Sequence, residues 1–191
     1  MNDYHLAYGF LDGKTTPDIA DLLYKEDYFL TRYSEEEITC TLTEYVIDYL
    51  PEPMTFSEIY FYEFDHDHSA TNIKWRQNRE RYTEQFRRTI MTLLGYQTEV
   101  YVDSSSCTDL ESPHILKINN TLEDIHVLDE VLLGSLHEFY SSLILLPKQE
   151  TFLFCGACHL IVHTNNQAFL HLLERIVTAN GLYLRKKASD E

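Results

Sequence analysis

The sequence predicts a single compact domain of α+β class, a mainly antiparallel or mixed sheet packed with about five helices. Three observations lead there. Hydrophobic residues make up 44% of the 191-residue chain, with only 6 Gly and 5 Pro, which suits one sizeable core without long linkers. Apolar side chains recur at helical spacing in some stretches and form short aromatic or β-branched runs in others. The two kinds of stretch alternate irregularly, without the strict βα rhythm of a doubly wound parallel sheet. The domain is expected to span residues 1–185, with a frayed tail at 186–191.

Taken in order, Thr16-Pro17-Asp18 reads as an N-cap with Pro at the first helical position, and opens a helix with Ile19, Leu22 and Leu23 on one face. Ser34-Glu35-Glu36-Glu37 has the form of a capping box, in which the Ser hydroxyl and the third Glu satisfy orphan N–H groups reciprocally. Ile38, Leu42, Tyr45, Val46 and Tyr49 then follow at helical spacing until Pro51, so a helix is expected across this segment. The aromatic run Phe56 to Phe64 reads as a strand, and His66-Asp67-His68 as the polar loop after it.

A long helix is expected from about Asn72 to Leu94, with Trp75, Tyr82, Phe86, Ile90 and Leu93 as its buried stripe and Gly95 as its terminator. Thr98 to Val102 and Ile115 to Ile118 read as short strands. Thr121 is placed to cap a helix carrying Leu122, Ile125, Leu128 and Leu132. Ser142 to Leu146, Pro147-Lys148-Gln149 and the run from Thr151 to His163 read as strand, turn, strand. Thr164 or Asn165 is expected to cap a helix with Phe169, Leu172, Leu173, Ile176 and Val177 inward. That helix ends at Asn180-Gly181, and Leu182-Tyr183-Leu184 closes the fold as a strand.

Charge is the most distinctive property of the chain. The net charge is −16, from 31 acids and 15 bases. Residues 1–70 hold 16 acids against Lys14, Lys25 and Arg32, a balance of −13. Residues 71–90 reverse the sign, with Lys74, Arg76, Arg79, Arg81, Arg87 and Arg88 against Glu80 and Glu84, a balance of +4. A field of this sign repels nucleic acid and anionic membrane and speeds encounter with basic proteins. The basic helix is expected to pair internally, through Arg76–Glu80, Glu84–Arg88 and the acids of residues 35–67, and not to bind nucleic acid.

The N-terminus lacks the basic and apolar regions of a signal peptide, and no apolar run approaches the roughly 18 residues that span a bilayer. A cytoplasmic protein is therefore expected, with its 4 cysteines as reduced thiols.

Chemical motifs are few. Cys155-Gly156-Ala157-Cys158-His159 spells a c-type haem attachment sequence. Read as one continuous strand, however, it points Cys158 to one face and Cys155, His159 and His163 to the other. The two cysteines then share neither a haem nor a metal unless the chain turns at Gly156. In the same strand His159 and His163 lie about 13 Å apart, too far for one ion. His66 and His68, about 6.5 Å apart in extended chain, are the better placed pair for a divalent metal. The Asp103 to Cys107 run has no nucleophile elbow, and no phosphate-binding Gly-rich loop is present. No cofactor is expected.

An acidic, Tyr-rich chain (14 Tyr) without catalytic motifs fits a non-enzymatic protein that binds a basic partner. The sharpest example is a bacterial immunity protein or antitoxin, whose carboxylates occlude the basic cleft of a cognate nuclease-like toxin or enzyme. The expected binding residues are Glu35, Glu36, Glu37, Glu44, Asp48, Glu52, Glu58, Tyr60, Tyr62, Asp65 and Asp67. Alternatives are a divalent-metal enzyme using the His66-Asp67-His68 loop, and a regulatory or scaffold subunit.

Overall fold

The computed structural model describes residues 6–7, 9–11, 41–50, 73–103, 115–119, 121–137, 142–156 and 159–187. They form one seven-stranded sheet and three α-helices. The strands are β1 (Glu44–Asp48), β2 (Val100–Asp103), β3 (Ile115–Ile118), β4 (Ser142–Leu146), β5 (Thr151–Gly156), β6 (His159–His163) and β7 (Tyr183–Lys186). The helices are α1 (Ile73–Gly95), α2 (Leu122–Leu136) and α3 (Gln167–Ala179). Strand order is β3-β2-β4-β5-β6-β1-β7, with every neighbouring pair antiparallel. The α+β class and the antiparallel sheet match the sequence reading. About five helices do not, since the described residues contain three.

Alternation along each strand sorts side chains onto two faces of the sheet. One face carries Ile47, Val100, Val102, Ile144, Leu146, Leu153, Cys155, Leu160 and Val162. Against these pack Phe86, Ile90 and Leu93 of α1, Leu128, Leu132 and Leu136 of α2, and Phe169, Leu173 and Ile176 of α3. The opposite face carries Tyr101, Leu143, Leu145, Phe152, Phe154 and Ile161, packed with Ala7, Phe10 and Leu11 of the N-terminal segment. β4 and β5 are buried along their whole length, which explains why they read as unbroken apolar runs and not as alternating ones.

Most helix signals operate as their chemistry suggests. Thr121 Oγ1 accepts from Asp124 N at 3.1 Å, and the Asp124 carboxylate accepts from Asn119 N at 2.9 Å, so the two side chains close the entry to α2. The cap of α3 is Asn166, one residue beyond the expected Thr164 or Asn165; its Oδ1 accepts from Phe169 N at 3.1 Å. The expected caps have other tasks. Thr164 Oγ1 accepts from Asn166 N, and Asn165 Oδ1 accepts from both the N–H and the hydroxyl of Thr43. α3 ends at Asn180, followed by Gly181 at φ +74°, a left-handed position that suits Gly.

Two expectations are overturned. Residues 44–48, assigned from periodicity to a helix running to Pro51, form β1. The segment EYVID carries a period-2 pattern as well. Tyr45, Ile47 and Tyr49 face the helix-side core, while Glu44, Val46 and Asp48 face the other way. Pairing on both sides, with β6 and with β7, decides between the two patterns. The capping box at Ser34–Glu37 and the strand at Phe56–Phe64 lie outside the described residues.

The run from Thr151 to His163 is two strands, not one. Gly156 pairs with His159 and Cys155 with Leu160, so the chain reverses after Gly156. Cys155 therefore shares a face with Leu160 and Val162, and His163 shares one with Phe152 and Phe154. The C-terminal strand also runs further than Leu184. Lys186 ends β7, and Lys187 N donates to Glu44 O at 3.0 Å.

Candidate functional site

Among the expected partner-binding residues, Glu44 and Asp48 are described, and both sit on β1. Glu35, Glu36, Glu37, Glu52, Glu58, Tyr60, Tyr62, Asp65 and Asp67 lie outside the described residues, as do His66 and His68. The two described acids point to the sheet face away from the helices. Strand register sets Lys187 directly across from Glu44 and Arg185 diagonally across from Asp48. Glu44 Oε1 lies 3.0 Å from Lys187 Nζ. The Arg185 guanidinium donates to Asp48 Oδ2, and Asp48 Oδ1 accepts from Leu50 N at 3.1 Å. Asp48 is buried at 8% exposure, a position a carboxylate holds only with partners of this kind.

This face of the sheet changes character along its width. It is apolar from Ile115 across Tyr101, Leu145 and Phe154 to Ile161, then ionic across Glu44, Asp48, Arg185 and Lys187. His163 stands at the boundary. Its ring stacks on Phe152, with centroids 4.3 Å apart, and Glu44 is opposite it in register. Burial, helped by the nearby Lys187 charge, lowers its pKa to about 4, so it is a neutral imidazole at physiological pH.

The basic helix is internally paired. Arg87 grips both oxygens of Asp129 on α2, at 2.5 and 3.0 Å, and reaches Glu84 at 3.1 Å. Arg88 takes the other oxygen of Glu84 at 2.7 Å, and its hydrogen bond, ahead of that from Arg87, lowers the Glu84 pKa. Arg79 donates to His137 O at 3.4 Å. The guanidinium of Arg81 lies 4.6 Å from the ring centroid of Tyr82, which stacks on Tyr49 at 4.3 Å. Asp129 of α2 is one acidic partner on another element; the acids of residues 35–67 expected to pair with this helix lie, apart from Glu44 and Asp48, outside the described residues.

Cys155 is fully buried, and burial raises its thiol pKa to about 12. It is a protonated core side chain beside the hydroxyl of Ser142, which accepts a 2.8 Å hydrogen bond from Ser135 of α2. A thiol in that state is neither nucleophile nor metal ligand. Among the described residues no group of three or more His, Cys, Asp or Glu side chains is placed to hold a metal ion. No described helix is long and apolar enough to cross a membrane.

Sequence reasoning missed the role of the C-terminus. Arg185 and Lys187 alternate on one strand face, as Glu44 and Asp48 do, and that complementarity of period 2 was the available signal. Compared with known proteins, the chain matches no family model, no curated protein and no solved structure. What can be said of its class comes from the fold: an α+β protein with a seven-stranded antiparallel sheet.

Proposed function

We propose that this protein is a non-enzymatic acidic binder that occludes a basic protein partner, in the manner of an immunity protein or antitoxin set against a nuclease-like toxin. One observation carries the reading. The net charge is −16, and five of the 15 cations that would soften an acidic surface are already held by carboxylates of the same fold. Arg87, Arg88, Lys148, Arg185 and Lys187 each lie within ion-pair distance of a carboxylate of the same chain. Carboxylates left to solvent would stand in for phosphates in a basic cleft and steer association over long range.

The contributing surface is the acidic N-terminal third, from Glu35 to Asp67. Glu44 and Asp48 contribute less to it, because Lys187 and Arg185 already answer their charges. The protein is expressed together with the product of the adjacent gene and the pair is purified at low salt. A stoichiometric complex with a basic product, in which the partner's activity is suppressed, is the expected result. An adjacent series of metabolic enzymes with no complex would sink the reading. Elemental analysis of untagged protein is expected to show no stoichiometric metal; one metal per chain would favour an enzyme built on His66, Asp67 and His68.

A further inference from the structure

Position 181 requires glycine for two independent reasons. Its φ is +74°, in the left-handed region, and a Cβ built there would stand 2.9 Å from Gln85 Nε2 of α1. The residue before it is Asn180. Asparagine is a chemically labile residue, and most so before glycine, where no side chain hinders attack by the following backbone nitrogen. The turn that ends α3 thus carries a reactive bond where the chain passes into β7.

The reaction is intramolecular. Gly181 N bonds to Asn180 Cγ and gives up its proton, the Cγ–Nδ2 bond breaks, and ammonia leaves. Water then opens the succinimide at either carbonyl, which yields aspartate or isoaspartate at position 180. Ring closure needs Gly181 N beside the Cβ of Asn180. The observed ψ of 5° instead brings it almost into eclipse with the backbone nitrogen of Asn180.

Hydrogen bonds hold that unreactive geometry. Asn180 Nδ2, the leaving group, donates to Ile176 O at 2.9 Å. Gly181 N, the attacking atom, donates to Thr178 O at 3.0 Å, and Leu182 N donates to Val177 O at 3.0 Å. Gln85 Nε2 reaches across from α1 and donates to Asn180 O at 2.8 Å. Turning ψ into the reactive range gives up the last three of these bonds together.

We propose that Asn180 is a latent modification site, a point of spontaneous deamidation that the corner between α1, α3 and β7 keeps shut and whose conversion loosens β7. Aspartate at position 180 puts negative charge at the C-terminal end of α3, where the macrodipole disfavours it, and replaces the donor to Ile176 O with an acceptor. Isoaspartate lengthens the backbone just ahead of Tyr183 and so disturbs the register in which Arg185 meets Asp48. The inference is independent of the acidic-binder reading above.

The test incubates the full chain in mildly alkaline buffer and follows position 180 by peptide mass spectrometry, with isoaspartate labelled by an isoaspartyl methyltransferase. The same chain in concentrated urea is the reference. The folded chain is expected to convert about tenfold or more slowly than the unfolded one. Gln85→Ala is expected to speed conversion several-fold and to raise amide exchange at Gly181 and Leu182, while β4 and β5 keep their protection. The deamidated chain, and Asn180→Asp as a second route to the same charge, are expected to lose exchange protection across residues 183–186. Equal rates in the folded chain and in urea overturn the proposal, as does an unfolded chain that leaves Asn180 intact. Acceleration in Gln85→Ala that comes with lost protection throughout the sheet overturns the local closure, and unchanged β7 protection in both products overturns the loosening.

Discussion

β5 and β1 lie two places apart in one sheet and are held there by different means. β5 is buried on both faces at every position, so its stability comes from apolar area removed from water. β1 is apolar on the helix side and ionic on the other, and its charged face is matched by Arg185 of β7 and by Lys187 just after it. An inner strand can thus carry carboxylates where another strand supplies cations at matching positions. The first kind of strand tolerates no loss of volume; the second tolerates no loss of one partner without the other.

The largest effect is expected in the apolar strand. Leu153 is fully buried, and Leu153→Ala should cost about 3–5 kcal/mol in denaturant unfolding, from lost transfer energy and the cavity left behind. Leu184→Ala, at a half-buried position on β7, should cost about 1 kcal/mol. Equal costs would contradict the difference between an inner strand buried on both faces and the half-buried edge strand that pairs with β1.

The boundary residue gives the next largest effect. His163 has a folded pKa of about 4 against about 6.5 for an unfolded imidazole. Below pH 6.5 the unfolded chain binds a proton that the folded chain refuses. Stability is therefore fully present above pH 6.5 and falls as the pH drops toward 4, by up to about 3 kcal/mol. Glu44 Oε1 and Lys187 Nζ, 3.0 Å apart, are charged groups beside His163. His163→Gln should flatten the slope between pH 6.5 and 4; an unchanged slope would assign the acid sensitivity to other groups.

Within β1, Asp48→Ala leaves Arg185 half-buried without its carboxylate and should cost about 2–4 kcal/mol. Replacing both, as Asp48→Val with Arg185→Leu, should recover most of that loss, because a packed apolar pair substitutes well for a buried ion pair. The smallest effect belongs to the α1 surface. Glu84 and Arg88 have side chains 40% and 66% exposed, so Arg88→Gln should change stability by less than about 0.5 kcal/mol and less still at high salt.

The helices and the inner strands were legible because local chemistry and tertiary demand agreed. Phe86, Ile90 and Leu93 mark the buried stripe of α1, Thr121 caps α2 with its own hydroxyl, and Pro147 begins the turn between β4 and β5. β1 was misread because Tyr45 and Tyr49, four residues apart, satisfy a helical period and a strand period alike. Only pairing with Leu160 to His163 and with Tyr183 to Lys186, more than 100 residues away in sequence, settles which applies. The hairpin after Gly156 was hidden for a related reason. A strand buried on both faces has no alternation to lose, so the reversal leaves little trace in hydropathy. For the candidate surface, the sequence indicated where acids concentrate but not which are already answered. Glu44 and Asp48 look like any other exposed carboxylates until Lys187 and Arg185 are placed beside them.

The claim that binding is driven by carboxylates left over after internal pairing is tested most directly by the association rate with a basic partner as a function of salt. Raising NaCl from about 20 to about 500 mM should slow association about tenfold or more while dissociation changes far less. An association rate that stays flat across that range would contradict the account.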